Sequence, residues 1–207
     1  CAVYPPTVDF HARVEKEAIH NIKRLRNHAS LALWCGNNEM EWMFTIYARM
    51  IINPFKKRKY KKGYIDMFER MFPKLISILD PNHDYWPASP SNGGFLKAKA
   101  GLVASNNPGK GDSHYWMVWH GGRPFTAYRG FNSRFMSEFG FESFPSMKTL
   151  REFCPPEQFD FFSEIMKNHQ KNHAGNGKIM SYMKKRFSVP PSFEKQVIIC
   201  QITHAEA

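Results

Sequence analysis

Two carboxylates in this sequence stand where chemistry could be done. Glu39 follows the short apolar run Ser30–Cys35 and is preceded by Asn37 and Asn38, and Glu138 lies near the end of a second run, Arg134–Gly140. They are far apart along the chain, so neither is a helix-face neighbour of the other and only the fold can bring them together. Two carboxylates across a cleft lined with Trp and Tyr suit cleavage of a glycosidic bond. One must be protonated to donate to the leaving oxygen, and the other must be ionised to attack the anomeric carbon. Aromatic rings cover the C–H face of a sugar, while Asn and Arg bond its hydroxyls. Plainer readings stand beside this one: a Glu at a strand end often serves an ion pair, and an aromatic stripe often fills a core.

Four aromatic residues are candidates for stacking, Trp86, Tyr115, Trp116 and Trp119. Alternation along a strand puts Tyr115 and Met117 opposite Trp116 and Val118, so not all of them can face one cleft. Trp119, placed by this reading at a strand end beside His120, is the preferred one. Asp112 and Arg134 could contact substrate or only orient neighbours. His169 and His173 share a helix face at i, i+4 but lack the acidic partner of a metal-binding H-E-x-x-H helix, so no metal site is expected. Cys1, Cys35, Cys154 and Cys200 form no C-x-x-C pair. Free, mostly buried thiols are expected instead of zinc ligands.

These residues need elements to hold them. Apolar steps from Phe10 to Leu25 predict an amphipathic helix over 10–28 with Asp9 as N-cap. Ser30–Cys35 reads as a strand buried on both faces. Further helices are expected over 40–50 and 64–79, with a short strand running into a loop over 84–91, strands at 114–119 and 134–140, and helices near 156–171 and 192–206. Residues 91–113 form a long polar, Gly-rich loop, which is more often functional than idle. Alternation of helices and strands favours a parallel β/α architecture, with the chemistry at the carboxyl ends of the strands.

Composition narrows the partners. The chain has 207 residues, 29 Lys and Arg against 18 Asp and Glu, and a net charge of +11. Much of the excess lies in Lys56–Lys62, which reads as a solvated loop or helix face. No zinc-finger, RNP or helix-turn-helix pattern accompanies it, so no nucleic-acid partner is expected. No apolar run reaches the ~18–20 residues of a membrane span. Free thiols and the lack of a visible leader lean toward a cytoplasmic setting, and the absent starting Met suggests that the true N-terminus lies upstream.

Four segments, taken in order, resemble family 2 glycoside hydrolases of the β-mannosidase branch: Asn27–Glu39, Tyr85–Ser91, Gly111–Gly122 and Arg134–Ser146. A weaker likeness at 169–172 and 201–207 extends across essentially the whole chain. The resemblance implies a retaining exo-glycosidase on a (β/α)8 TIM barrel, acting on a β-mannoside oligosaccharide or glycoconjugate without a cofactor. Glu39 then matches the acid/base at the end of barrel strand four, Glu138 the nucleophile at the end of strand seven, and Asn38 the partner of the sugar 2-hydroxyl. Trp119, Trp86, Tyr115 and Arg134 fall in the matched segments as substrate-binding candidates. Retention requires the carboxyl groups to be about 5–5.5 Å apart.

A complete barrel needs ~250 residues. The chain is therefore expected to be one segment, 1–207, truncated at both ends, covering roughly strands four to seven with their helices. The remaining barrel and the β-sandwich domains of the parent chain are its expected partners. Glu142 stands where the resembled family usually has Gln; pointing into the cleft it would raise the pKa of Glu138, and the preferred reading is that it faces a helix and does nothing catalytic.

Overall fold

The computed structural model describes residues 4–46, 53–97 and 105–207. Its first helix, α1 (Val8–Leu25), starts two residues before and ends three residues before the 10–28 span that the periodicity predicts. Thr7, not Asp9, is the N-cap: its hydroxyl accepts the Phe10 amide at 3.3 Å. Asp9 instead sits in the first turn and Lys23 and Arg24 in the last, each complementing the helix dipole.

Strand β1 (Leu33–Cys35) pairs in parallel with β2 (Asp84–Trp86), Leu33 opposite Asp84 and Cys35 opposite Trp86. Between them lie α2 (Met40–Ile46), α3 (Pro54–Tyr64), a π-helical stretch (Ile65–Met71) and α4 (Phe72–Leu79). This is the helical crossover that parallel neighbours require. Asn53 caps α3 by accepting the Phe55 and Lys56 amides, with Pro54 in the first turn, so the basic run is largely an exposed helix face. The helix predicted from 64 therefore begins ten residues sooner. The second half of the predicted 40–50 helix lies outside the described residues.

Strands β3 (Ser113–Tyr115) and β4 (Met136–Phe139) form the other sheet among the described residues. The chain is thus mixed α/β. β3 ends at Tyr115, where a strand to Trp119 was expected; residues 117–121 turn instead. β1 also departs from expectation. Leu33 is 49% exposed and Cys35 is exposed, and among the described residues β1 pairs with one strand, β2.

The chain divides into two compact units. The first, 1–114 with 132–138, has its core in Met40, Tyr64, Met67, Phe68 and Phe95, continued by Ile22, Leu75 and Ile76 under α1 and α4. The second, 115–131 with 139–207, carries α5 (Met147–Phe153), α6 (Glu164–His169), α7 (Gly175–Arg186) and α8 (Phe193–Glu206). Its core includes Val118, Trp119, Phe141, Leu150, Phe161, Ile179, Met183 and Cys200. α5 and α7 were not foreseen, and only part of the 156–171 helix forms, as a short 3-10 turn followed by α6. Cys154 and Cys200 are buried, as expected of structural thiols, and burial pushes the Cys200 thiol up to about 11. No described helix is long and apolar enough to cross a membrane.

Candidate active site

The polar end of β1 is built so that Glu39 cannot swing freely. Parallel pairing continues past the strands: Gly36 donates to the Trp86 carbonyl, Ser89 to that of Asn37, and Glu39 to that of Ser89 at 2.7 Å. The buried Asn37 amide donates to the Pro87 carbonyl at 2.8 Å and to the Tyr64 hydroxyl at 3.2 Å. Its oxygen accepts the Met40 amide, which starts α2. Glu39, between strand and helix, is held at φ 60°. That left-handed conformation costs a non-glycine residue about 1–3 kcal/mol and persists only where the surroundings fix it.

His114, whose side chain is fully buried, joins the two carboxylates. Its Nδ1 is 2.9 Å from Glu39 Oε1 and 3.5 Å from Glu138 Oε2. One ligating atom from each of the three residues lies within 4.8 Å of the others. Such a group also has donors a transition metal takes, but the 2.9 Å contact is that of a direct hydrogen bond and needs no ion to explain it. On its far side, His114 Nε2 is 2.9 Å from the Ser89 hydroxyl, and its backbone N–H donates to Asn106 Oδ1.

Behind His114 lies Asp112. Trp86 Nε1 and the Ser91 amide donate to its Oδ1, at 3.1 and 2.8 Å. The Ser89 and Ser137 hydroxyls donate to its Oδ2, each at 2.6 Å. Burial alone would raise this carboxyl, but the four donors outweigh it and hold it below the usual carboxylate range. Gly111 permits the arrangement: its φ is +59°, and a Cβ there would lie 1.9 Å from the Ser91 carbonyl oxygen.

Glu41, two residues after Glu39 in the first turn of α2, is 0% exposed and anchors the same loop. Ser91 Oγ donates to it at 2.6 Å and Ser105 Oγ at 3.0 Å. Burial is the largest influence on its carboxyl and pushes it up despite those bonds. A raised value in the folded state favours the protonated form. The contribution of Glu41 is therefore complete below its unfolded value of ~4.3 and is lost as pH rises through the folded one. Amide exchange in the 91–97 and 105–113 segments, corrected for intrinsic chemistry, should accelerate as pH rises above the unfolded value, and Glu41→Gln should flatten that dependence. An equally steep dependence in the variant would remove Glu41 as its source.

The structure thus brings together Glu39, Glu138 and, through Asp112, Trp86. Asn38 is exposed beside Glu39 and bridges to Ser89. Arg134 has an exposed side chain, and its amide donates to the Pro108 carbonyl. Tyr115 and Trp119 belong to the second unit. The Tyr115 ring stacks on Phe131 at 4.4 Å. Trp119 is 2% exposed, edge-on to Phe141 with Lys178 over its ring. Trp119, the preferred sugar platform of the sequence reading, is packed in the core of the second unit, because the strand ends at Tyr115 and residues 117–121 turn. Glu142 accepts from Gln170 at 3.0 Å within the second unit. Sequence reasoning missed His114, Ser89, Ser137 and Glu41. A lone strand His reads as core, and hydroxyls carry no periodic signal.

No protein-family profile matches the chain. Among curated proteins, it is 29% identical over 214 residues to Beta-mannosidase B of Emericella nidulans and 30% identical to Beta-mannosidase B of Aspergillus oryzae. Each alignment covers 100% of this chain and 24% of the relative. Among solved structures it matches a β-D-mannosidase from Dictyoglomus thermophilum with a TM-score of 0.80 and 32% identity, covering 99% of this chain and 23% of that one. The chain spans about a quarter of the length of these relatives, and in sequence and structure it is β-mannosidase-like from end to end.

Proposed function

We propose that this β-mannosidase-like chain is the part of a retaining exo-glycosidase that carries both catalytic carboxylates, and that the whole protein removes terminal β-D-mannose. Within a (β/α)8 barrel it would supply roughly strands four to seven, with the remaining strands and the β-sandwich domains as its partners. The observation that carries the reading is the meeting of Glu39 and Glu138 at one buried histidine, with an oxygen of each among atoms within 4.8 Å of one another. Close carboxyl groups suit double displacement, since inversion needs room for a water between them.

In the first step Glu138 bonds to the anomeric carbon while the glycosidic C–O bond breaks and Glu39 gives its proton to the departing oxygen. In the second, ionised Glu39 takes a proton from water as the water oxygen bonds to that carbon and Glu138 leaves. Asn38 is assigned to the 2-hydroxyl, and Trp86, Tyr115 and Arg134 remain the candidates for other sugar contacts.

Incubating the full-length protein with a 2-deoxy-2-fluoro-β-mannosyl fluoride should stop turnover and add one fluoromannosyl group, mapped to Glu138. Label on another residue, or none, rejects the assignment and favours a non-catalytic sugar-binding remnant. Aryl β-glucosaminide or β-galactoside turned over faster than aryl β-mannoside rejects the sugar.

A further inference from the structure

We propose that His114 is a standing imidazolium between the two carboxylates, a positioning residue whose positive charge always faces whichever carboxylate is ionised. The inference deepens the glycosidase reading and rests on it for its mechanistic meaning.

Its basis is a count of protons. Asp112 accepts four donors, which only an ionised carboxylate does without conflict. The Ser89 hydroxyl is 2.6 Å from its Oδ2 and 3.2 Å from Ser137 Oγ, and the Ser137 hydroxyl is 2.6 Å from Oδ2 and 3.4 Å from the Ser113 carbonyl, so the shorter bond to a charged acceptor takes each proton. Ser89 Oγ can therefore only accept from His114, so Nε2, 2.9 Å away, carries a proton. One proton must also lie between Nδ1 and Glu39 Oε1 at 2.9 Å. Were it on Glu39, the bare lone pair of Nδ1 would face Glu138 Oε2 at 3.5 Å, a repulsion between acceptors. The Glu39 proton would also point at the histidine, away from substrate. With the proton on Nδ1, both conflicts vanish.

The charged groups facing the ring complete the account. Glu39 approaches from the end of β1, Glu138 from β4, and Asp112 through Ser89 beyond β2. In double displacement one carboxylate is ionised at a time: Glu138 before attack, Glu39 once Glu138 is esterified. A cation placed between them keeps an anionic partner throughout. Its nearer contact, to Glu39, favours release of the proton to the departing oxygen.

Neutron diffraction from deuterium-exchanged crystals of the full-length wild-type protein reads the ring directly and needs no activity. Deuterium on both Nδ1 and Nε2 is expected, and a bare nitrogen at either position overturns the proposal. In kinetics, His114→Asn keeps a neutral donor but no charge. The acidic limb of kcat/KM, which requires an ionised nucleophile, should move up by about one unit or more, since an adjacent cation shifts a carboxylate by about 1–3 units. A uniform loss of rate with the limb in place would show a merely structural histidine. Inactive wild-type protein would reject the glycosidase reading while the neutron result still decides the charge.

Discussion

Glu138→Ala in the full-length protein is expected to lower kcat/KM for aryl β-mannosides by at least ~10⁴-fold, equivalent to about 5 kcal/mol of transition-state stabilisation. On the proposed mechanism Glu138 forms the glycosyl ester, so the loss should fall on every leaving group alike. Azide, small enough to enter the space vacated by the carboxylate, should restore turnover and yield the α-mannosyl azide, inverted at the anomeric carbon. Glu39→Ala should behave differently. Its loss should be about 10²–10⁴-fold for poor leaving groups and much smaller for dinitrophenol, which departs without a proton. Azide should then attack the glycosyl-enzyme and give the β-mannosyl azide. The stereochemistry of the two azide products is decisive: exchanged configurations would mean exchanged roles, although both residues flank the same histidine.

The second large effect is expected at Asp112. Asp112→Ala removes the shared acceptor of four donors, from Trp86, Ser89, Ser91 and Ser137, at a buried position. A loss of about 3 kcal/mol in local stability follows from bonds to a charged acceptor, or roughly 100-fold faster amide exchange at Ser91 and in the 105–115 segment. The pH dependence has the sign opposite to that at Glu41. The folded Asp112 carboxyl lies below the usual range despite its burial. Its stabilisation is therefore present above its unfolded value of ~3.9 and is lost as pH falls through the folded one. Asp112→Asn should show little of that acid loss. Unchanged exchange in Asp112→Ala would show that the loop is held by other contacts, Glu41 foremost among them. Asp112→Ala should also lower catalysis, because the freed Ser89 hydroxyl no longer has to accept from His114 Nε2, and the proton there is no longer held.

The contrast between Glu41 and Asp112 shows how far one sequence can be read. Both are acidic residues beside polar loops, and nothing in their immediate neighbours distinguishes a carboxyl raised by burial from one lowered by four donors. The donors come from Trp86, Ser89, Ser91 and Ser137, brought together by strand pairing and by the close approach of Gly111 to Ser91. Short strands ending in polar residues, by contrast, are local patterns. β1, β2, β3 and β4 lie within the predicted runs or one residue outside them. Their lengths were overestimated where an apolar run continued beyond its last hydrogen-bonded partner, as after Tyr115.

From residue types and order alone came Glu39 and Glu138 as a pair worth testing, Asn38 beside the first of them, and a likeness running through four ordered segments. These are properties that chain-local chemistry and spacing carry. Tertiary structure decided the rest: that His114 stands between the carboxylates, that Asp112 orients the hydroxyls behind it, that Trp119 is core, and that Leu33 is uncovered. Proton direction and burial depend on atoms contributed by distant parts of the chain, and side-chain periodicity holds no record of which distant atoms those are.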